Sequence, residues 1–293
     1  GLDQEDDWTF EGEPATKNKP ATGWFKANPA LGDFLPIDRI RNEFKTAIEM
    51  PSQQNSFRRF RLNQWVGQET RFIPMELWNA CGTPFNPSDF AGAECWGGLD
   101  LSTTRDLTAF AMVFPKDEKI FLIVHLFVPG DDLHDRARKD NVPYDLWAAQ
   151  GIIHVTPGNQ VDYAFVRQTI NNLAKIYNIR EIGYDRWNAT QIVQNLMDDG
   201  LTMVPIGQGY QSMNAPTSEL LAMVKDGRLQ HGGNPALAWM ADCMTVKQDP
   251  AGNVKPAKPD RLKSKKRIDG LAAAINGLAR VIVSEEGSIT YTG

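Results

Sequence analysis

Three aspartates stand where strands end or a helix begins, and carboxylates in such places can hold metal ions. Asp100 lies in GGLDLS, Asp185 in EIGYDRW and Asp269 in KRIDGLAAAI. Strand alternation sends Asp100 to the face opposite Leu99 and Leu101. Asp185 ends an apolar strand of parallel type just before a helix, and the crevice at the carboxyl ends of such strands is where open α/β sheets bind ligands. Asp269 falls in the first turns of the last helix, where the helix dipole favours an ionised carboxylate. Ala273 and Asn276 on its side are small enough to let that face approach a sheet. Each residue also has a plainer reading: a turn cap at Asp100, a helix N-cap at Asp185, dipole complementation at Asp269. If the three converge, their repulsion calls for cations, and oxygen ligands suit Mg2+ or Mn2+ better than zinc. Two such ions about 3.5–4 Å apart activate water and stabilise a leaving oxygen in phosphodiester cleavage. Asp106, in STTRDLTA, either adds a carboxylate or is an ordinary turn residue.

A basic run leads straight into the third aspartate. Between Lys255 and Arg267 the residues Lys255, Lys258, Arg261, Lys263, Lys265, Lys266 and Arg267 face a single acid, Asp260. The whole chain carries a net charge of −5, so this is a local field able to hold phosphates; a solvated loop is its plain alternative. Other chemistries lack their signatures. There is no Gly-x-x-x-x-Gly-Lys-Ser/Thr loop, so no ATP site of the P-loop kind is expected. The four histidines show no helical i, i+4 pair and read as structural or solvated. The cysteines Cys81, Cys95 and Cys243 are far apart, which argues for reduced thiols in a cytoplasmic setting and against a zinc ribbon. No membrane span and no secretion leader is expected.

Several elements must position these residues. The 293 residues, 42% of them hydrophobic, suit one large domain or a domain with an appendage. Gly1 to about Pro20 is acidic and reads as a tail or as the torn end of something larger. The spacing of Ile37, Ile40, Phe44, Ala47 and Ile48 predicts an amphipathic helix over 37–50. A Pro/Asn/Gly-rich passage over 82–92 reads as a linker and suggests a boundary near residue 90, which divides 1–90 from a main domain over 91–293. Beyond it, 95–101, 108–114 and 119–128 read as an antiparallel meander. Helices over 162–177, 189–199 and 217–226 alternate with strands over 181–185 and 201–206, which indicates parallel pairing. An apolar stripe predicts a last helix over 264–283. The expected fold is α/β: a mixed sheet with helices on both faces.

GLDLSTTRDLTAF, IGYDRWNATQIVQNLMDDG and KRIDGLAAAINGLAR resemble the three acidic blocks of the nuclease domain in large terminase subunits of tailed bacteriophages, of the HK97-like type. EDDW, WFKANPALG, SFRRFRLNQWV and FIPMELWNAC resemble the stretch that joins the motor ATPase to the nuclease, so the likeness covers nearly the whole chain. It implies an RNase H-like fold and divalent-metal cleavage of concatemeric double-stranded DNA during packaging into the procapsid, in the host cytoplasm. The blocks align Asp100, Asp185 and Asp269 with the catalytic acids, and Asp106 with a further acidic position. The portal protein, the small terminase subunit and the ATPase part of the motor are the implied partners. HGGNPALAWM also fits the family pattern, without a physical role that the sequence supplies. Two other readings stay open: another RNase H-like nuclease of resolvase or transposase type, though those more often end their triad in glutamate, and a non-catalytic module that docks the motor.

Overall fold

The computed structural model describes residues 1–3, 6–49, 51–64, 71–101, 107–131, 133–186, 190–258 and 266–288. The chain divides into two compact units, Gly1–Phe72 and Ile73–Gly293. Composition placed the boundary near residue 90, whereas the division falls after Phe72. Residues 73–90 pack with the second unit: Trp78 stacks on His231 with ring centroids 4.2 Å apart, and Phe90 lies 4.9 Å from Phe114.

The first unit holds α1 (Gly23–Ala27), α2 (Ile37–Glu49) and α3 (Pro51–Phe60). Its core gathers Trp24, Ile40, Ala47, Phe57 and Leu62. The acidic opening is not a tail. Leu2 is buried in this core and its N–H donates to Leu62 O at 2.9 Å. Lys26 pairs with Asp3 at 2.7 Å and with Asp6 at 2.6 Å, and Arg41 grips both carboxylate oxygens of Glu11. Those cations lie 20 to 30 residues away in sequence, so local composition hid the pairing.

In the second unit α4 (Met75–Ala80) precedes the meander of β1 (Glu94–Asp100), β2 (Thr108–Lys116) and β3 (Lys119–Pro129). Then come α5 (Leu133–Asp140), α6 (Tyr144–Ala149), β4 (Ile153–Thr156), α7 (Tyr163–Ala174), β5 (Asn178–Asp185), α8 (Thr190–Asp198) and β6 (Met203–Ile206). The unit closes with α9 (Tyr210–Lys225), β7 (Leu229–Gln230), α10 (Pro235–Cys243), the hairpin β8 (Thr245–Gln248) and β9 (Val254–Ala257), and α11 (Asp269–Ser288). The main sheet runs β4-β3-β2-β1-β5-β6, with β7 beside β3. Its β1–β2 and β2–β3 pairs are antiparallel; its β1–β5, β5–β6, β3–β4 and β3–β7 pairs are parallel.

Each face of the sheet buries a different layer. Leu99, Phe110, Met112 and Phe127 form one core with Val166 and Ile170 of α7 and Ile192, Val193 and Leu196 of α8. The opposite face is covered by α11, against which α9 and α10 pack. The periodicity of α11 is thus explained; the helix runs from Asp269, and the expected start near residue 264 lies outside the described residues.

A histidine pair on the α7 face has a pH consequence. His125 Nδ1 and His154 Nε2 share a hydrogen bond at 3.0 Å, and His154 stacks on Phe127. Burial first, and the neighbouring His154 second, hold the pKa of His125 down at about 4. The unfolded side chain titrates near 6.5, so between roughly 6.5 and 4 the unfolded chain takes up a proton that the folded chain refuses. Stability therefore falls as pH drops through that window. Urea midpoints measured from pH 7 to 4 should fall less steeply for His125→Leu than for the native chain; equal slopes would remove His125 as a cause.

Candidate active site

Asp100 and Asp185 end adjacent parallel strands. The β1–β5 register pairs Leu99 with Tyr184, so one step further sets Asp100 beside Asp185. Both are half-buried, and alternation puts both on the face covered by α11, because Leu99 and Ile182 belong to the opposite core.

Glycines allow α11 to lie against that face. A Cβ built on Gly98 would come 1.8 Å from Ala273 O, and one on Gly183 would come 2.5 Å from Asn276 O. Asn276, 2% exposed, donates from Nδ2 to Leu99 O at 3.1 Å. One turn on, Arg280 donates to Glu181 at 2.7 Å. These contacts order the helix against the strands: Arg280 lies at Glu181, Asn276 at Gly183, Ala273 at Gly98. Asp100 is two residues beyond Gly98, about 6.7 Å along a strand. Asp269 is four residues before Ala273, about 6 Å along a helix. The first residue of α11 is thereby carried to the strand ends that bear Asp100 and Asp185. Asn276→Ala should lower unfolding stability by about 1–3 kcal/mol, because the buried Leu99 carbonyl loses its donor; a urea midpoint equal to that of the native chain would count against this anchor.

Asp269 is 4% exposed, and its Oδ1 accepts from Lys258 Nζ at 3.2 Å. Lys258 directly follows β9, which is fixed by Asn214 Oδ1 accepting from Val254 N at 2.8 Å and by Thr245 donating to Ala257 O at 3.0 Å. Tyr144 is buried nearby: burial, then the charge of Asp140, then those of Arg267 and Asp269, act on its hydroxyl, and the net effect raises its pKa. Tyr163 is raised as well, by burial first and by the charge of Asp100 second.

Of the basic run, Lys255 donates to Gln208 O at 3.4 Å and sits 4.9 Å above the Tyr210 ring. Arg267 reaches Asp140 at 3.9 Å, and Lys266 is half-buried beside it. Asp106, Arg261, Lys263 and Lys265 lie outside the described residues. Among the described residues, no group of three or more His, Cys, Asp or Glu side chains is gathered as a metal cage. The donor chemistry of Asp100, Asp185 and Asp269 still fits a hard divalent cation, since all three offer carboxylate oxygens.

Several features went unread in the sequence. The β8–β9 hairpin had a turn signal, DPAGN: Asp249 Oδ1 accepts from Ala251 N and Asn253 N, and Gly252 has φ +91°. The HGGNPALAWM segment proves architectural. His231 Nε2 donates to Trp78 O at 2.8 Å, Gly232 and Gly233 take positive φ, and Asn234 caps α10 through Ala236 N and Leu237 N. Nothing in the sequence around Lys258 signalled its ion pair with Asp269.

Within the main sheet, the order β3-β2-β1-β5-β6 with β2 reversed, helices on both faces and acids at the strand ends make this an RNase H-like α/β domain, as the sequence blocks implied. Residues 3–285 match the family described as terminase large subunit, endonuclease domain, and the chain belongs to that family. It is 34% identical over 270 residues to the terminase large subunit of Enterobacteria phage HK97, covering 90% of this chain and 52% of that protein. Protein YmfN of Escherichia coli K12 is 26% identical over 97% of this chain and 62% of its own length. The crystal structure of the HK97 large terminase superposes with a TM-score of 0.65 at 32% identity, covering 91% of this chain and 56% of that one. The chain thus spans between half and two thirds of these relatives. Among the described residues no helix is long and apolar enough to cross a membrane.

Proposed function

We propose that this chain is a divalent-metal-dependent endonuclease that cuts concatemeric double-stranded DNA as a viral genome is packaged, with Asp100, Asp185 and Asp269 as its catalytic, metal-holding acids. The observation that carries this is the register: two aspartates end neighbouring parallel strands on the face where α11 opens with a third. Mg2+ or Mn2+, as a pair, would supply the Lewis acidity that activates water and steadies the leaving oxygen. The chain's own part is to hold the carboxylates on rigid elements, with Gly98, Gly183 and Asn276 fixing the height of α11 over the sheet. Asp106 would add a further metal ligand. Lys255, Lys258, Arg261, Lys263, Lys265, Lys266 and Arg267 would meet DNA phosphates. The ATPase part of the motor, the small terminase subunit and the portal protein would be partners, and the host cytoplasm at the procapsid the place of work.

The test is cleavage of supercoiled plasmid. With Mn2+ the purified chain should nick and linearise it without ATP, and chelation should stop it. DNA binding by a Lys263→Ala, Lys265→Ala, Lys266→Ala variant should weaken across all sequences, with the slope of log affinity against log salt reduced by about 3. No cleavage with Mn2+ under any salt condition would favour the motor-docking reading instead.

A further inference from the structure

In sequence, the ion pair between Lys258 and Asp269 brackets five of the seven basic residues that lie between Lys255 and Arg267. Lys258 leaves the β8–β9 hairpin and Asp269 begins α11, eleven residues later. The carboxylate side chain is 6% exposed and the lysine side chain 33% exposed. A nearly buried carboxylate needs a compensating positive group, and here an ammonium at 3.2 Å serves. The hairpin fixes the backbone from which the Lys258 side chain extends: Lys255 is tied to Gln208 and Tyr210, and Val254 to Asn214. The lysine is the more exposed partner and has a long stem, so it can swing to water while Asp269 cannot.

We propose that Lys258 is a resident counter-ion of Asp269 which a divalent cation must displace, so that it sets the metal concentration at which the acidic centre fills. This rests on the reading of Asp269 as a metal ligand given above. A cation approaching Asp269 competes with a charge already placed there, and the displaced ammonium is released at the base of the basic run. Metal affinity is thereby lower than the three carboxylates alone would give.

The experiment is Mn2+ titration by calorimetry, with thermal unfolding in parallel, on the full 293-residue chain. Lys258→Met keeps the stem and removes the charge, and it should bind Mn2+ about fivefold more tightly, the factor matching a partly exposed ion pair. Lys258→Arg should restore native affinity. Without added metal Lys258→Met should melt below the native chain, and saturating Mn2+ should close that gap. A lysine serving only to pack the hairpin would lower the melting temperature equally with and without Mn2+. Lys258→Gln repeats the test if the methionine variant does not fold. If Lys258→Met and Lys258→Gln bind Mn2+ no more tightly while Asp269→Asn loses binding, the counter-ion role is overturned and the metal-site reading stands. If Asp269→Asn binds Mn2+ like the native chain, the metal role of Asp269 falls and the counter-ion role with it.

Discussion

Asp100→Asn should abolish plasmid cleavage in Mn2+ while leaving the chain folded. The side chain ends β1 and is half-buried beside Asp185. Asparagine keeps its size and hydrogen-bonding reach but removes the charge that a metal ligand must supply. Two carboxylates in adjacent registers repel one another, so losing one charge relieves part of that cost. The unfolding midpoint should therefore stay within about 1 kcal/mol of native. Cleavage should fall by more than about a hundredfold, beyond the 10- to 100-fold loss typical of residues that merely support a ligand. Glu94→Gln is the control, because Glu94 lies at the far end of the same strand, exposed and paired with Arg180 at 3.4 Å. It should cut at the native rate. Cleavage by Asp100→Asn at more than a tenth of the native rate would remove Asp100 from the chemistry.

The parts of this site that were legible in the sequence are those written in local pattern. Alternation gave the three meander strands to within two residues of the observed ends, and it gave the face of Asp100. The last helix showed its apolar stripe, and Asp185 showed itself by closing an apolar strand before a helix. What stayed hidden was mostly written across long separations. Lys26 and Arg41 neutralise an acidic opening that composition alone presents as a tail. Lys258 is basic among basic residues, and nothing in its own neighbourhood says that its partner is eleven positions on. The short strands β4 and β7 have four and two residues, too few for a period to register. In α9, Pro216 marks a plausible first turn, since proline fits there without losing a bond. The helix instead begins at Tyr210 and carries Pro216 inside.

Gly98→Ala should be the most damaging single-methyl change in the second unit, and it links packing to chemistry. The added Cβ would lie 1.8 Å from Ala273 O and 2.5 Å from Gly277 N. Both are backbone atoms of α11, so no side-chain rotation can make room. The helix must lift by more than 1 Å to reach an ordinary contact of roughly 3.4 Å or more. Lifting it strains the Asn276 bond to Leu99 O and opens the buried surface around Leu271, Ala274 and Ile275. Overpacking of this kind costs typically 1–3 kcal/mol and occasionally more; with backbone on the receiving side, about 3 kcal/mol or above is expected. Gly209→Ala provides the comparison, since a Cβ there meets no atom within 4 Å; its cost should stay within about 1 kcal/mol. The loss of cleavage should exceed the loss of folded protein, because lifting α11 moves Asp269 away from the strand ends. Compare the two variants at a temperature where both remain folded by circular dichroism. A Gly98→Ala protein that melts and cuts like the native chain would mean that α11 does not rest on β1 as described, and Asp269 would not be carried to the strand ends by that contact.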